Sequence, residues 1–334
     1  MKKRLQNILK YLFFLAIGGL FLYLALRNTD FEKLAYDFAH AEYGYVIFSM
    51  VIGYLAFVSR GLRWNLLLEP LGQKAHPWHS IHAITVGYLA NAAVPRAGEL
   101  ARCTALHSTD KIPVNRLFGT VVLERIIDGF MLLSIMTLTF LLELDTLRDF
   151  FQEAFKGQRN TGAGLWWKLV LAGAFLGFLL LLYLFRHRFQ NFPFYARIRS
   201  FWAGFKEGLK SFRSLEHKWA FVGHTLFIWT MYYLMIYVVV FALPATKNID
   251  PSSGLLLMTV GGLGMIVPTP GGIGSYHYLV MLALGVMGIP SSDGVSFATL
   301  VHGGQFVMTL LSGLIALGFV YRARRVKVPL SKTL

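Results

Sequence analysis

The stretch "PRAGELAR", residues 95–102, sits between apolar segments and carries Arg96, Glu99 and Arg102 three residues apart. On a helix that spacing makes one charged stripe. Further on, "ERIIDG" places Glu124, Arg125 and Asp128 inside another apolar run, with Glu124 and Asp128 on one face four residues apart. Upstream, "SRGLRWN" gives Arg60 and Arg63 a shared face at the end of a third run. Guanidinium forks bind phosphate through two parallel hydrogen bonds, and nearby carboxylates can hold a counter-cation or a proton. Charges inside a bilayer are costly and point to function by default. Two readings stay open on these residues. One is a phosphate-binding site; the other is an ion network that fastens one helix to the next. Arg60 and Arg63 also suit interfacial anchoring, with their aliphatic stems in the apolar layer.

A second device has no charge at all. "GMIVPTPGGIGSY" lies in a segment free of Lys, Arg, Asp and Glu from Pro251 to Pro290. Pro268 and Pro270 must break a helix there, and the chain is expected to restart as a helix near Gly272–Ser275. The first amides of a helix lack intrahelical partners and attract anions. The Gly271–Ser275 stretch, with Gly271, Gly272 and Gly274 permitting close approach, would hold a phosphate there. The alternative is that these glycines simply allow tight helix packing.

Such residues need elements to position them. The chain has 334 residues, of which 55% are hydrophobic. Six runs approach or exceed the roughly 20 apolar residues that cross a core about 30 Å thick. They are Tyr11–Leu26, Tyr45–Leu67, Leu117–Leu142, Leu169–Phe185, Trp219–Leu243 and Val295–Tyr321. The formal charge of +15 comes from basic residues that flank these runs, so contact with anionic lipid explains it better than nucleic acid does. Lys/Arg-rich flanks put both termini and the loop after the fourth run in the cytoplasm, with Phe192–Phe212 as a surface helix. The N-terminal run lacks a clear cleavage site and reads as an uncleaved span. Cys103 is the only cysteine, which rules out an internal disulfide and a cysteine-based metal site.

Two segments, Ser80–His107 and Ser252–Ile289, do not fit the six-span count. Each reads as a re-entrant helical hairpin, although the second could be two ordinary spans with a tight turn. Their breaks align: "AAVPRAGEL" lies over "MIVPTPGGI" at a constant offset of 173 residues. Pro95 and Gly98 in one copy match Pro268 and Gly271 in the other, and with Pro270 these form the hinges. The preceding spans run in opposite directions, so the halves are related by inversion, a transporter signature. The expected fold is an all-α polytopic membrane protein with six spans and two re-entrant hairpins in an inverted-topology repeat. Its parts are 1–44 (first span and outer loop), 45–142 (first repeat), 143–218 (linking span and basic segment), 219–321 (second repeat) and 322–334 (tail).

Other signals carry little. "GGLG" near Gly261 follows no strand. Ser275 and His277 have no acid to orient the histidine. His76, His79 and His82 lack a carboxylate in sequence and suit headgroup contacts. His224 and His302 fall inside spans as core residues or proton carriers. No catalytic residue, metal site or cofactor is expected.

At "RGLRWNLLLEPLG", "GYLANAAVPRAGELAR", "ERIIDGF" and "VPTPGGIGSYHYLV" the chain resembles the lysylphosphatidylglycerol synthase transmembrane-region family of flippase-like membrane proteins. The resemblance runs from about Leu5 to Val320. One family element is matched by Asn91, Pro95, Arg96, Gly98, Glu99 and Arg102, and a second by Glu124, Arg125 and Asp128. A third is matched by Pro268, Thr269, Pro270, Gly271, Gly272 and Gly274. The resemblance implies translocation of lipid between leaflets, classically of an aminoacylated phosphatidylglycerol. Two departures bear on the cargo. The soluble aminoacyl-transferase domain is absent, and the last span offers His302 and Gln305 where many relatives carry an arginine. The reading is a lipid translocator of a bacterial inner membrane that works by alternating access. Its partners would be membrane phospholipids with anionic headgroups. Arg96, Arg102 and Arg125 would engage phosphate, and Glu99, Glu124 and Asp128 would pair with them. A small-solute or ion transporter, or an enzyme or accessory of lipid-linked glycan or aminoacyl-lipid metabolism, is the alternative.

Overall fold

The computed structural model describes residues 2–143 and 215–326, with side chains over 12–143 and 215–324. In chain order the helices are α1 (Lys2–Leu26), α2 (Phe31–His40), α3 (Tyr43–Leu68), α4 (Pro77–Ala93) and α5 (Gly98–Asp110). They continue as α6 (Val114–Leu142), α7 (Lys218–Tyr237), α8 (Pro251–Ile266), α9 (Ser275–Val286) and α10 (Ser291–Val326). Every described element is helical. Four stretches are long and apolar enough to cross a membrane: Tyr43–Leu71, Val114–Leu142, Lys218–Ala242 and Ser291–Arg324. A fifth would need Leu12–Leu26 and α2 to count together across an 89° bend. The expected span Leu169–Phe185 and the surface helix Phe192–Phe212 lie outside the described residues.

The bend after α1 has a local cause. Thr29 folds its hydroxyl back to the Ala25 carbonyl, and Asp30 caps α2 by accepting from the Glu32 and Lys33 amides at 2.9 and 3.1 Å. Helix α2 is then pinned to α10. Lys33 pairs with Asp37 and with Asp293, and Ser296 donates to Asp37 at 2.6 Å.

Two helix pairs are too short to cross alone. Helices α4 and α5 have 17 and 13 residues, and α8 and α9 have 16 and 12. At about 1.5 Å per residue these are about 18–26 Å long. Each pair folds into a hairpin at a Val-Pro step, where the residue before proline is driven extended. Val94 adopts φ −132° and ψ 115°, and Val267 adopts φ −59° and ψ 128°.

The aligned glycines do different jobs in the two turns. In the first turn the left-handed residue is Arg96, at φ 64°, and Gly98 is already helical. A Cβ on Gly98 would overlap the Gly87 carbonyl and the Asn91 amide, so glycine lets α5 close onto α4. Asn91 in turn accepts from the Gly98 amide at 2.7 Å and ties off the start of α5. In the second turn Gly271 is itself left-handed, at φ 59°. Gly274, at φ 86°, lies against the backbone of Gly18 in α1, where a Cβ would overlap the Gly18 carbonyl.

Contacts between the halves follow an exchange pattern. Ser49 donates to the Met235 carbonyl and Ser59 meets His224, so α3 and α7 run antiparallel. Leu89 packs at Gly313 while His82 stacks on Phe319, which sets α4 antiparallel to α10. Leu132 packs at Gly262 while Thr139 meets Thr259, which sets α6 antiparallel to α8. The last helix of each half therefore covers the first hairpin arm of the other. Helix α10 contributes to both main apolar clusters, with Phe297 and Val301 in one and Met308 and Ala316 in the other.

Alanine at Gly98 or Gly274 must displace backbone, which costs about 1–3 kcal/mol. Both variants should therefore unfold at lower temperature than wild type in the same detergent. Gly119→Ala, where the added Cβ meets nothing within 4 Å, should not. Equal melting of all three variants would remove the close-packing explanation.

Candidate functional site

Three helices bring the buried charges together. Arg60 and Arg63 come from α3, Arg102 from α5, and Glu124 and Asp128 from α6. Glu124 is fully buried and receives all three guanidiniums. Arg60 reaches its Oε1 at 2.5 Å, Arg63 reaches the same oxygen at 3.0 Å, and Arg102 reaches Oε2 at 2.8 Å. Asp128 sits one turn on and takes Arg60 at 2.5 Å and Arg63 at 2.8 Å. The i, i+4 pair on α6 thus acts as one acidic face for the i, i+3 pair on α3. Two further donors find partners on α7, whereas Arg63 Nε and Arg102 Nε and Nη2 are buried with no hydrogen-bond partner among the described residues. Arg60 donates to the Tyr232 hydroxyl at 2.9 Å, and Arg63 donates to Thr225 at 3.2 Å. Arg102 lies over the Trp64 ring with its guanidinium carbon 5.0 Å from the centroid.

A cavity of about 550 Å³ opens beside this cluster. Arg60 and Asp128 form part of its wall, so the buried network has one face toward the open space. Arg96, Glu99 and Arg125 line another part. Glu99 and Arg125 pair at 3.1 Å in a more exposed setting, 27% and 46% accessible. Arg96 is exposed, and no hydrogen bond or ion pair holds its guanidinium among the described residues.

The second hairpin closes the far side. Thr269, Gly271 and Gly272 line the cavity, and Gly271 lies beside Ala92 at the end of α4. The two breaks therefore meet. His302 and Gln305 enter from α10. The His302 Nε2 lies 2.8 Å from the Gly271 carbonyl, and its ring stacks on Tyr276 with centroids 5.1 Å apart.

Several expected residues take other places. Arg96 is not part of a helical stripe with Glu99 and Arg102, because the left-handed turn after Pro95 puts it before α5. Arg63, Arg102 and Glu124 lie behind the cavity wall rather than on it. Arg102 faces Glu124 instead of open space, and Arg125 lines the cavity while paired with Glu99. Gly274 and Ser275 do not line the cavity. Gly274 packs on α1, and the Ser275 hydroxyl bonds the Gly264 carbonyl at 2.8 Å and Thr269 at 2.9 Å. Pro95 and Pro268 line the cavity, whereas Pro270 begins the short turn Pro270–Gly272. Tyr88, Trp229 and Tyr232 line it too, although none was singled out by spacing. Their signal was an aromatic with a polar tip in the middle of an apolar helix.

Removing one partner of a buried ion pair leaves an uncompensated charge and costs about 3–5 kcal/mol. Glu124→Gln should therefore lower the unfolding temperature sharply in a fixed detergent. Glu99→Gln, which breaks the part-exposed pair, should cost no more than about 1 kcal/mol. Similar melting of the two variants would contradict this division.

The match to a known family covers the whole of this site. A family model described as the lysylphosphatidylglycerol synthase TM region matches residues 9–313. A stretch of 125 residues is 26% identical to the UPF0104 membrane protein MJ1595 of Methanocaldococcus jannaschii. That stretch covers 36% of this chain and 37% of the relative, so the match spans well under half of either protein. No solved structure matches the chain. Because the family match runs through both hairpins, the ion cluster and every wall of the cavity, the chain belongs to the lysylphosphatidylglycerol synthase transmembrane-region family.

Proposed function

We propose that this multi-pass protein moves a phospholipid or a polyprenyl-phosphate-linked lipid between leaflets by alternating access. One observation carries the reading. The cavity joins a charged wall to an apolar edge that faces outward. Arg60, Arg96 and Arg125 lie on the charged side, while Met265 and Ile266, 50% and 56% exposed, lie at the edge. An amphiphile fits both at once, with its phosphate among guanidiniums and its chains along the apolar side chains. No step requires a bond to be made or broken. Charge on the cavity wall also suits a small anion, but a freely soluble solute gains nothing from the exposed apolar edge.

The architecture supports the mechanism. Hairpin arms too short to cross, broken by proline and lining a cavity, suit re-entrant segments. Equivalent helices that run antiparallel and exchange hairpins suit inverted repeats, which transporters rock against each other. In this reading the open end of the first hairpin, before α4 and after α5, faces the cytoplasm, and the open end of the second faces the opposite side.

Vesicles carrying purified protein should move acyl-labelled phospholipid across the bilayer faster than empty vesicles. Arg96→Ala, Glu99→Gln and Asp128→Asn should each slow that movement by about tenfold or more, equivalent to losing about 1.4 kcal/mol. Folded wild-type protein that moves no lipid across a broad panel would falsify the proposal. Orientation is separately testable, since native Cys103 is buried. Lys74→Cys and Lys111→Cys should label from one side, and Lys247→Cys from the other. Labelling of Lys74→Cys and Lys111→Cys from different sides would show that the first hairpin crosses.

A further inference from the structure

The charges at the site do not balance. Among the described residues, Arg60, Arg63, Arg96, Arg102 and Arg125 gather there with Glu99, Glu124 and Asp128, leaving guanidiniums in excess by two. Each of the three carboxylates already accepts from at least one guanidinium. One excess charge sits in the buried cluster, where three guanidiniums share two carboxylates. Buried charge without a partner is unfavourable, so this excess favours an anion at the cavity wall beside Arg60. The other excess charge is Arg96.

Arg96 stands where its backbone makes a side chain costly. A non-glycine residue at φ 64° carries strain that glycine would avoid. Such outliers gather where the side chain has work to do. Two neutral groups stand close behind the same wall. Trp229 Nε1 and the Tyr276 hydroxyl belong to residues that line the cavity, and among the described residues both atoms are buried without a hydrogen-bond partner. Tyr276 as a whole is only 2% exposed. The indole N–H can only donate, so an oxygen can satisfy it and an ammonium group cannot.

We infer that the cavity selects headgroups by net negative charge, with Arg96 as the specificity-determining contact, and that it rejects headgroups bearing an amino-acid cation. This rests on the lipid reading of the cavity. Doubly charged phosphate headgroups rank first, then singly charged, then zwitterionic, then aminoacylated. A lysyl group would bring a cation to a wall whose carboxylates are all engaged and whose free group is another cation. Displacing Arg60 or Arg125 to free a carboxylate would break an existing pair.

The test uses the full-length protein in detergent and four lipids: phosphatidic acid, phosphatidylglycerol, phosphatidylcholine and lysylphosphatidylglycerol. A ligand that binds the folded state raises its melting temperature, so stabilisation reports the ranking without any transport. Stabilisation should fall in the order given, and labelled forms in vesicles should cross in the same order. Arg96→Gly relieves the strained backbone, so it should melt no lower than wild type without lipid. It should also reduce the preference for phosphatidic acid over phosphatidylcholine by about tenfold, the loss expected for one charge-assisted contact. Lysylphosphatidylglycerol stabilising or crossing as well as phosphatidic acid overturns the inference. An unchanged ranking in Arg96→Gly overturns the role of Arg96. The expected ranking in stabilisation with no lipid crossing in vesicles supports the selectivity and instead sinks the translocator.

Discussion

Glu124 is the constraint on which the rest depends. A single carboxylate, closed to solvent, is shared by guanidiniums from two helices while it sits on a third. Neither oxygen is free, and Asp128 repeats the arrangement one turn away. The pairs are excellent in geometry, and in a buried setting they must be, because desolvating each ion costs several kcal/mol. The result is a rigid joint between α3, α5 and α6. It fixes the first hairpin against its neighbouring spans and gives the cavity a wall of fixed shape. Trp64 seals the joint from behind, donating to Thr120 at 2.8 Å while its ring lies under Arg102.

The two breaks use proline alike and glycine differently. In the first, glycine serves helix contact and the strained position is given to an arginine. In the second, glycines take the strained positions, and the chain bends tightly enough for a carbonyl to meet His302 from α10. One turn therefore presents side-chain charge and the other presents backbone. Both face the same cavity because α10 and α6 cross over to cover the opposite hairpin.

Much of this was legible in the residues. Spacing put Glu124 with Asp128 and Arg60 with Arg63, and both pairs share faces as expected. The aligned Val-Pro steps located both hairpin turns. Pairing between helices was not legible, because period fixes only which residues share a face and not what that face meets. Arg96 and Arg102 belong to one run of charges spaced three residues apart, yet one is in a left-handed turn and the other is in the core. The start of α9 looked ready for an anion, but Gly18, far away in sequence, occupies the approach to Gly274. In the sequence Asn91 stands out only as part of a family motif; its bond to the first amide of α5 depends on the fold of the turn.

The division between locked and free charge limits which parts can move. Alternating access requires states that differ by only a few kcal/mol. Separating Glu124 from any of its guanidiniums would use most of that range, so α3, α5 and α6 must travel as one body. The contacts that remain are cheaper. They include the packing of Gly271 against Ala92, the single bond between His302 and Gly271, and the backbone contact between Gly18 and Gly274. All three flank the cavity or its second break. A change of access would therefore displace α8, α9 and the Pro270–Gly272 turn against a fixed first half. Under the proposed function, Arg96, unpaired among the described residues and on the fixed side, would keep hold of a phosphate while the opposite wall moves.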